Sequence, residues 1–286
     1  MLATLSPALA QSPATPLPVV ATFSILADFA RNVGSDRVNV ISLVGPNGDT
    51  HVYQPSPADA KNLNEARLIL VNGLGLEGWI DRLVKASGTK APVIVATKGI
   101  KPRKMEEDGK IGQDPHAWQA IVYAKIYVAN IRDGLIQVDP DGAAAYRANA
   151  DAYIEKLTAL EAEVVAAIAK IPPDGREIIT THDAFGYFGA AYGFKFVAPE
   201  GVSTETEASA RDVAKIIRQI KAQKIPAVFL ENISDPRVAQ RIAEESGAKI
   251  GGTLFSDALS PLDGPGSTYI DMMRNNIKEL SAALAK

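Results

Sequence analysis

The sequence predicts an α/β protein in which two lobes, each built of parallel βα units, are joined by one long helix. Two observations predict the lobes: short β-rich runs alternate with helical patterns up to about residue 114, and the alternation begins again after Gly175. A third predicts the joining helix, because the intervening segment is rich in Ala, Glu, Lys and Leu. A single large doubly wound sheet is the alternative for a chain of 286 residues.

The first lobe is expected to alternate strands with helices. Its β-rich runs are of strand length, and the segments between them repeat apolar residues at helical spacing. Strands are predicted at Val19 to Phe23, Val38 to Val44, Arg67 to Asn72 and Pro92 to Ala96, and helices at Ile25 to Val33, Ser56 to Glu65 and Gly78 to Ala86.

The joining helix follows Asp139-Pro140-Asp141 and ends before Pro172-Pro173. Its apolar residues recur every three to four positions, which places them on one face. At about 1.5 Å per residue the helix is roughly 45 Å long, enough to run the length of a two-lobed molecule. The predicted apolar face consists of Tyr146, Ala150, Tyr153, Leu157, Leu160, Val164 and Ile168.

The second lobe repeats the pattern of the first. Strands are predicted at Glu177 to Thr181, Phe194 to Ala198, Ala227 to Glu231 and Lys249 to Leu254, and helices at Ala184 to Tyr192, Ala208 to Gln223, Pro236 to Ser246 and from Tyr269 onward. The chain is thus expected to divide into a leader (1–17), a first lobe (18–138), a linking helix (139–173) and a second lobe (174–286).

Composition and charge exclude several classes of function. With 30 basic and 33 acidic residues the net charge is −3, so nucleic acid is not an expected partner. The chain has no cysteine, so a metal site must use His, Asp or Glu, and no lipid-modified cysteine is expected. No stretch approaches the roughly 18 apolar residues that span a bilayer. The mature chain is therefore expected to be soluble. Ala8-Leu9-Ala10 resembles a signal-peptidase site, which predicts export, and a merely Ala-rich terminus is the alternative.

The three histidines of the chain all lie near the ends of predicted strands. His51 follows a turn-rich stretch after a strand, His116 lies in an Asp-Pro-His segment, and His182 directly follows Thr181. In open α/β sheets, ligands bind at the carboxyl ends of the strands. A single histidine there is more often a cap or a hydrogen-bonded core residue than a ligand, but all three share the placement. Together they predict one metal site.

A carboxylate can complete this histidine set. Asp257 follows the strand that ends at Leu254, although an N-cap is the alternative role for that residue. Glu205 and Glu207 are competing oxygen donors, but a solvated helix start explains them better.

Four short motifs carry a family resemblance that covers about Pro18 to Lys286. They are Thr50-His51-Val52-Tyr53-Gln54-Pro55, Asp114-Pro115-His116-Ala117-Trp118, Thr181-His182-Asp183-Ala184-Phe185-Gly186 and Phe255-Ser256-Asp257. In this order they resemble the ligand motifs of the cluster A-I (cluster 9) solute-binding proteins of zinc and manganese ABC transporters. The resemblance implies two Rossmann-like βα lobes joined by a long backbone helix, with one metal ion clamped between them.

The resemblance also implies which residues hold the ion and which partners receive it. His51 and His116 would come from the first lobe, and His182 and Asp257 from the second, with Trp118 and Phe185 as packing residues at most. The expected protein is a periplasmic monomer that carries one Zn²⁺ per chain to a membrane permease. A periplasmic metallochaperone is a further expected partner, although residues 97–115 lack the His-rich loop of many zinc-specific relatives.

Zinc is the predicted metal, and manganese is the alternative. Manganese-binding relatives generally have a carboxylate where this chain has His182. Three imidazoles and one carboxylate suit Zn²⁺, whereas Mn²⁺ gains more from oxygen ligands. A zinc hydrolase is the rival function, but a catalytic zinc keeps one position open, and four protein ligands would close it. An organic-ligand site finds no support in an aromatic content of 6%. We therefore expect a binding protein and not an enzyme.

Overall fold

The computed structural model describes residues 15–107, 110–205 and 208–284. Nearly all of the predicted leader, and also Glu207, lie outside these residues. Among the described residues, none of the helices is both long enough and apolar enough to cross a membrane.

The first lobe is a four-stranded parallel sheet with the strand order β2-β1-β3-β4. The strands are β1 (Leu17–Phe23), β2 (Val38–Val44), β3 (Leu68–Val71) and β4 (Val93–Val95), and the helices between them are α1 (Ser24–Gly34), α2 (Pro57–Glu65) and α3 (Ile80–Ser87). Every residue of β3 is buried, as expected for a central strand covered on both faces. A capping box between Ser56 and Asp59 begins α2.

Two features between β4 and the linking helix were not predicted from the sequence. An antiparallel hairpin pairs β5 (Lys104–Glu107) with β6 (Lys110–Gln113), and an 18-residue helix, α4 (Ile121–Val138), follows it. Helix α4 packs against the linking helix α5 (Ala143–Ile168). The buried residues of α5 are the seven predicted for its apolar face, so that prediction is confirmed.

The second lobe has the same strand order as the first. Its strands are β7 (Glu177–Ile179), β8 (Lys195–Val197), β9 (Ala227–Glu231) and β10 (Lys249–Leu254), and its helices are α6 (Gly186–Tyr192), α7 (Ala210–Gln223), α8 (Pro236–Ser246) and α9 (Tyr269–Leu284). The parallel sheet has the order β10-β9-β7-β8, so in each lobe the first and third strands are the central pair.

The hydrophobic core is shared between the lobes. One cluster of buried residues includes Phe29 of α1, Tyr153 of α5 and Tyr269 of α9, whose rings lie against each other at centroid distances of 4.8 Å (Phe29–Tyr269) and 6.2 Å (Phe29–Tyr153). A smaller cluster lies around α7 and α8 in the second lobe. The α/β class with two parallel sheets and a long connecting helix is therefore confirmed, while the lobe boundaries given above stay a prediction.

Candidate metal centre

The four residues predicted from the sequence come together in one buried cluster. His51 lies in the loop between β2 and α2, His116 in the turn after β6, His182 after β7 and Asp257 after β10. Each offers one ligand atom, and these atoms all lie within 4.8 Å of one another. His51 is 6% exposed, and the other three residues are fully buried.

The distances between these atoms match the size of a metal ion. His51 Nε2 lies 3.3 Å from His116 Nε2 and 3.1 Å from Asp257 Oδ2. His182 Nε2 lies 3.3 Å from Asp257 Oδ2, and His116 Nε2 lies 3.6 Å from Asp257 Oδ1. In a tetrahedral site with bonds of about 2.0–2.1 Å, the ligand atoms are roughly 3.3 Å apart. The cluster therefore has room for a cation of this class at its centre.

The hydrogen bonds of the cluster leave its inner atoms free for a cation. His182 Nε2 and both carboxylate oxygens of Asp257 have no hydrogen-bond partner among the described protein atoms, although all three are buried. Buried polar atoms are normally paired, because leaving them unpaired costs stability. A bound cation would satisfy all three.

A carboxylate orients the imidazole of His116. Asp114 Oδ1 lies 2.9 Å from His116 Nδ1 and also accepts a 3.0 Å hydrogen bond from the His116 backbone N–H. Contacts of this kind hold Nδ1 in its protonated form and present Nε2 to a metal. Asp114 is part of the Asp-Pro-His motif, so the sequence contained this signal.

A second carboxylate lies behind His182. Glu231, the last residue of β9, places Oε2 2.5 Å from His182 Nδ1. Its Oε1 accepts hydrogen bonds from the backbone N–H groups of Thr181 (2.7 Å) and His182 (2.9 Å). Sequence reasoning did not find Glu231, because the residue is 49 positions from His182 and only the pairing of β7 with β9 brings the two together.

Buried side chains also fix the backbone just before the histidines of the first lobe. Trp79 Nε1 donates to the carbonyl of Thr50, which precedes His51, at 2.9 Å. Asn72 Nδ2 donates to the carbonyl of Pro115, which precedes His116, at 3.0 Å. Both donors belong to the loop between β3 and α3, so this one loop positions the segments that carry His51 and His116.

Opposing charges set the protonation of the cluster. Burial alone would lower the pKa of His116, but the charge of Asp257 and the hydrogen bond to Asp114 raise it to about 9. The same balance, with Glu231 as the main charge, raises the pKa of His182 well above its usual value. Burial would raise the pKa of Asp257, but His116 and His182 hold it well below its usual range. A metal ion that enters must displace protons from imidazoles.

The other residues considered from the sequence lie outside the cluster. Glu205 is exposed, and Asp183 is partly buried beside the site without joining the group. Trp118 packs on Phe23 and His116 as expected, and its Nε1 also donates a 2.9 Å hydrogen bond to the carbonyl of Ser256. Phe185 is buried and stacks on Phe196, consistent with a packing role.

Comparison with known proteins identifies the family. The ZnuA family, described as zinc-uptake complex component A, periplasmic, matches residues 19–283. The chain belongs to the ZnuA family.

Three relatives show how far the similarity extends. The iron-binding protein YfeA of Yersinia pestis is 37% identical to this ZnuA-family chain, covering 92% of the chain and 85% of YfeA. The manganese-binding lipoprotein MntA of Halalkalibacterium halodurans is 35% identical, with coverage of 94% and 89%. The structure of the periplasmic zinc-binding protein TroA of Treponema pallidum superposes with a TM-score of 0.90 at 31% identity, covering 96% of this chain and all of TroA.

These relatives confirm the resemblance and its coarser implications. The ZnuA-family chain is a metal-binding substrate-binding protein of an ABC transporter, from a periplasmic family, and it is not an enzyme. The relatives are named for iron, manganese or zinc, so they do not confirm zinc for this chain. Since MntA is named a lipoprotein, they also do not support the expectation of a chain without a lipid anchor.

Proposed function

We propose that this protein binds one Zn²⁺ as its transported cargo through His51, His116, His182 and Asp257, and delivers the ion to a membrane permease. The observation that carries the proposal is the buried cluster, in which three imidazole nitrogens and one carboxylate lie within 4.8 Å of one another. Such a set suits a borderline cation in tetrahedral geometry.

The surroundings of the cluster favour zinc further. The carboxylates behind His116 and His182 increase the electron-donating power of both imidazoles. Because four protein ligands fill a tetrahedral shell, the site leaves no position for a reacting water. A closed shell suits storage and transfer of an ion.

Manganese is the second candidate, and one observation favours it. Both oxygens of Asp257 face imidazole nitrogens, and neither has a hydrogen-bond partner in the described chain. If Asp257 binds through both oxygens, the ion gains a fifth ligand atom, which suits the preference of Mn²⁺ for oxygen and higher coordination. The similarity to MntA agrees with this alternative.

Calorimetry with elemental analysis on chelator-stripped protein tests the proposal. We expect one tightly bound Zn²⁺ per chain, with binding strongly weakened in His182→Ala and in Asp257→Ala. Glu205→Ala is the matched control, because that carboxylate is exposed and outside the cluster. Undiminished binding in both ligand variants would refute the ligand assignment.

Competition between the two metals decides the cargo. The parent protein is expected to keep Zn²⁺ against an excess of Mn²⁺, and His182→Glu is expected to shift the preference toward Mn²⁺ by adding an oxygen ligand. A parent that takes up Mn²⁺ in preference would establish the second candidate. A monomeric state and receipt of the ion from a metallochaperone belong to the same proposal; size-exclusion chromatography tests the first, and metal transfer from a donor protein tests the second.

A further inference from the structure

We propose that Gln119, assisted by Trp118, is a positioning residue that holds Asp257 in the metal cluster from the first lobe. The proposal rests on the function proposed above. Neither residue is a ligand, and their action on the metal goes through the backbone of Ser256, which directly precedes Asp257.

Two side-chain donors meet at one carbonyl group. Gln119 Nε2 donates to the Ser256 carbonyl at 2.6 Å, and Trp118 Nε1 donates to the same oxygen at 2.9 Å. Gln119 Nε2 also lies 3.4 Å from the carbonyl of Phe255. Gln119, Trp118, Ser256 and Asp257 are all fully buried, so water does not compete for these hydrogen bonds.

The two donors lie on the turn that carries His116. The 3-10 turn Ala117–Gln119 begins directly after that ligand, and the Gln119 N–H donates to the His116 carbonyl at 3.1 Å. The Trp118 ring packs on the imidazole of His116 at a centroid distance of 5.2 Å. One short turn therefore supplies a ligand and also fixes the distance from that ligand to Asp257.

Other contacts tie the same loop to the first lobe. The Leu259 N–H donates to Ser24 Oγ at 2.9 Å, and the Leu259 carbonyl accepts from the Asn47 N–H at 2.9 Å. Asp257 follows a strand of the second lobe, and its loop is anchored on both lobes, because Asn232 accepts from the Ser256 N–H at 3.3 Å and donates to the Ala258 carbonyl at 3.1 Å. The side-chain support of His182, in contrast, comes from Glu231 within the second lobe. Contacts from both lobes therefore meet on the loop of Asp257.

The chemistry of Gln119 indicates a role other than stability. Its Oε1 is buried and has no hydrogen-bond partner among the described protein atoms. Replacing Gln119 with Met removes this unpaired oxygen and leaves the Ser256 carbonyl bonded to Trp118, so no buried acceptor loses its last partner. A methionine would therefore serve the core equally well, and what it would lack is the donor to Ser256.

A double-mutant cycle tests the proposal. Zn²⁺ affinity is measured by competition with a chromophoric chelator for the parent, Gln119→Met, Asp257→Ala and the double variant. We expect Gln119→Met to weaken binding about tenfold in the parent and less than about twofold when Asp257 is already removed. The metal-free variant should melt at or above the temperature of the parent. Asn130→Leu, which removes an amide bonded to the carbonyls of Ala96 and Lys98, is the matched control and should bind Zn²⁺ as the parent does.

The outcomes separate this proposal from the function on which it rests. Unchanged affinity in Gln119→Met, or an equal loss in both backgrounds, would overturn the positioning role while leaving the metal site intact. A parent without tight Zn²⁺ binding would overturn the proposed function and this proposal with it. If Gln119→Met does not fold, Trp118→Phe takes its place in the cycle, because it removes the second donor and keeps an aromatic ring.

Discussion

The two lobes have the same strand order, and each buries a carboxylate beside the carboxyl ends of its central strands. The two carboxylates have different roles. In the first lobe, Glu77 accepts hydrogen bonds from Thr22 Oγ1 (2.6 Å) and from the N–H groups of Asn72 (2.6 Å) and Gly73 (3.1 Å), and it contacts no ligand. In the second lobe, Glu231 binds backbone N–H groups and also contacts the imidazole of His182.

The difference shows that a buried carboxylate beside the carboxyl ends of the central strands can fix a loop in one lobe and orient a metal-binding side chain in the other. Both carboxylates satisfy N–H groups that the end of a parallel strand leaves unpaired. Only in the second lobe does one of these N–H groups belong to a metal-binding residue, His182. The first lobe places its histidines on longer loops and reaches them through Asn72 and Trp79.

Removing Glu77 should give the largest effect on stability. Glu77→Ala leaves three donors without an acceptor, two of them buried, so we expect a loss of roughly 3 kcal/mol in the free energy of unfolding. Urea denaturation of the metal-free protein measures it. Glu65→Ala, which removes an exposed partner of Lys61, should change stability by less than about 0.5 kcal/mol. A similarly small change in Glu77→Ala would show that the carboxylate is not the anchor of its loop.

Removing Glu231 should act on metal binding. Glu231→Ala takes away the carboxylate that orients His182 and strengthens it as a ligand, so we expect Zn²⁺ affinity to fall about 10–100-fold. Calorimetric titration measures this, with Glu77→Ala as the comparison, since that carboxylate touches no ligand. Equal losses of affinity in the two variants would contradict the distinction between the lobes.

The protons of the cluster should make the effect of zinc depend on pH. In the metal-free protein, burial opposes protonation of His116, but Asp257 and Asp114 raise its pKa to about 9. The stability contributed by this proton is complete below about pH 6.5 and is lost as the pH rises through about 9. Because zinc needs the deprotonated imidazole, the increase in Tm on adding one equivalent of Zn²⁺ should grow between about pH 6 and pH 8.5. A constant increase, read by scanning calorimetry, would rule out this proton competition.

The smallest effect is expected at a contact that joins the lobes beside the site. Thr204 Oγ1 donates to Asp49 Oδ2 at 2.6 Å, and Asp49 Oδ1 accepts from the N–H of His51 at 2.8 Å. Thr204→Val should lower the free energy of unfolding by about 1 kcal/mol. Thr158→Val, at an exposed position of α5, is the control, and an equal effect in both would mean that the contact between the lobes contributes nothing of its own.

The sequence predicted the regular parts of this fold because local pattern and tertiary packing agree there. Strands β2, β9 and β10 and helix α8 begin and end at the predicted residues. Helix α4 was missed because β-branched and aromatic residues such as Ile121, Tyr127 and Val128 favour strands locally. Packing of this segment against α5 and α1 stabilises the helical conformation instead.

The candidate metal site, like the fold, was predictable from the sequence only in part. Histidines at strand ends were visible from the sequence, because the carboxyl ends of parallel strands meet at one edge of a sheet. The supports of these residues were not visible: Glu231, Trp79 and Gln119 reach their partners across 29 to 137 positions of the chain. Such pairs follow from how strands and loops are brought together, and no local pattern encodes them.

The shared core has a consequence for how the molecule unfolds. The apolar face of α5 belongs to one continuous cluster that contains residues of both sheets, and the separate cluster around α7 and α8 is the smaller of the two. Partial unfolding of one lobe would expose side chains on which the other depends. The protein should therefore lose its structure as a single cooperative unit, with one calorimetric transition whether or not the metal is bound.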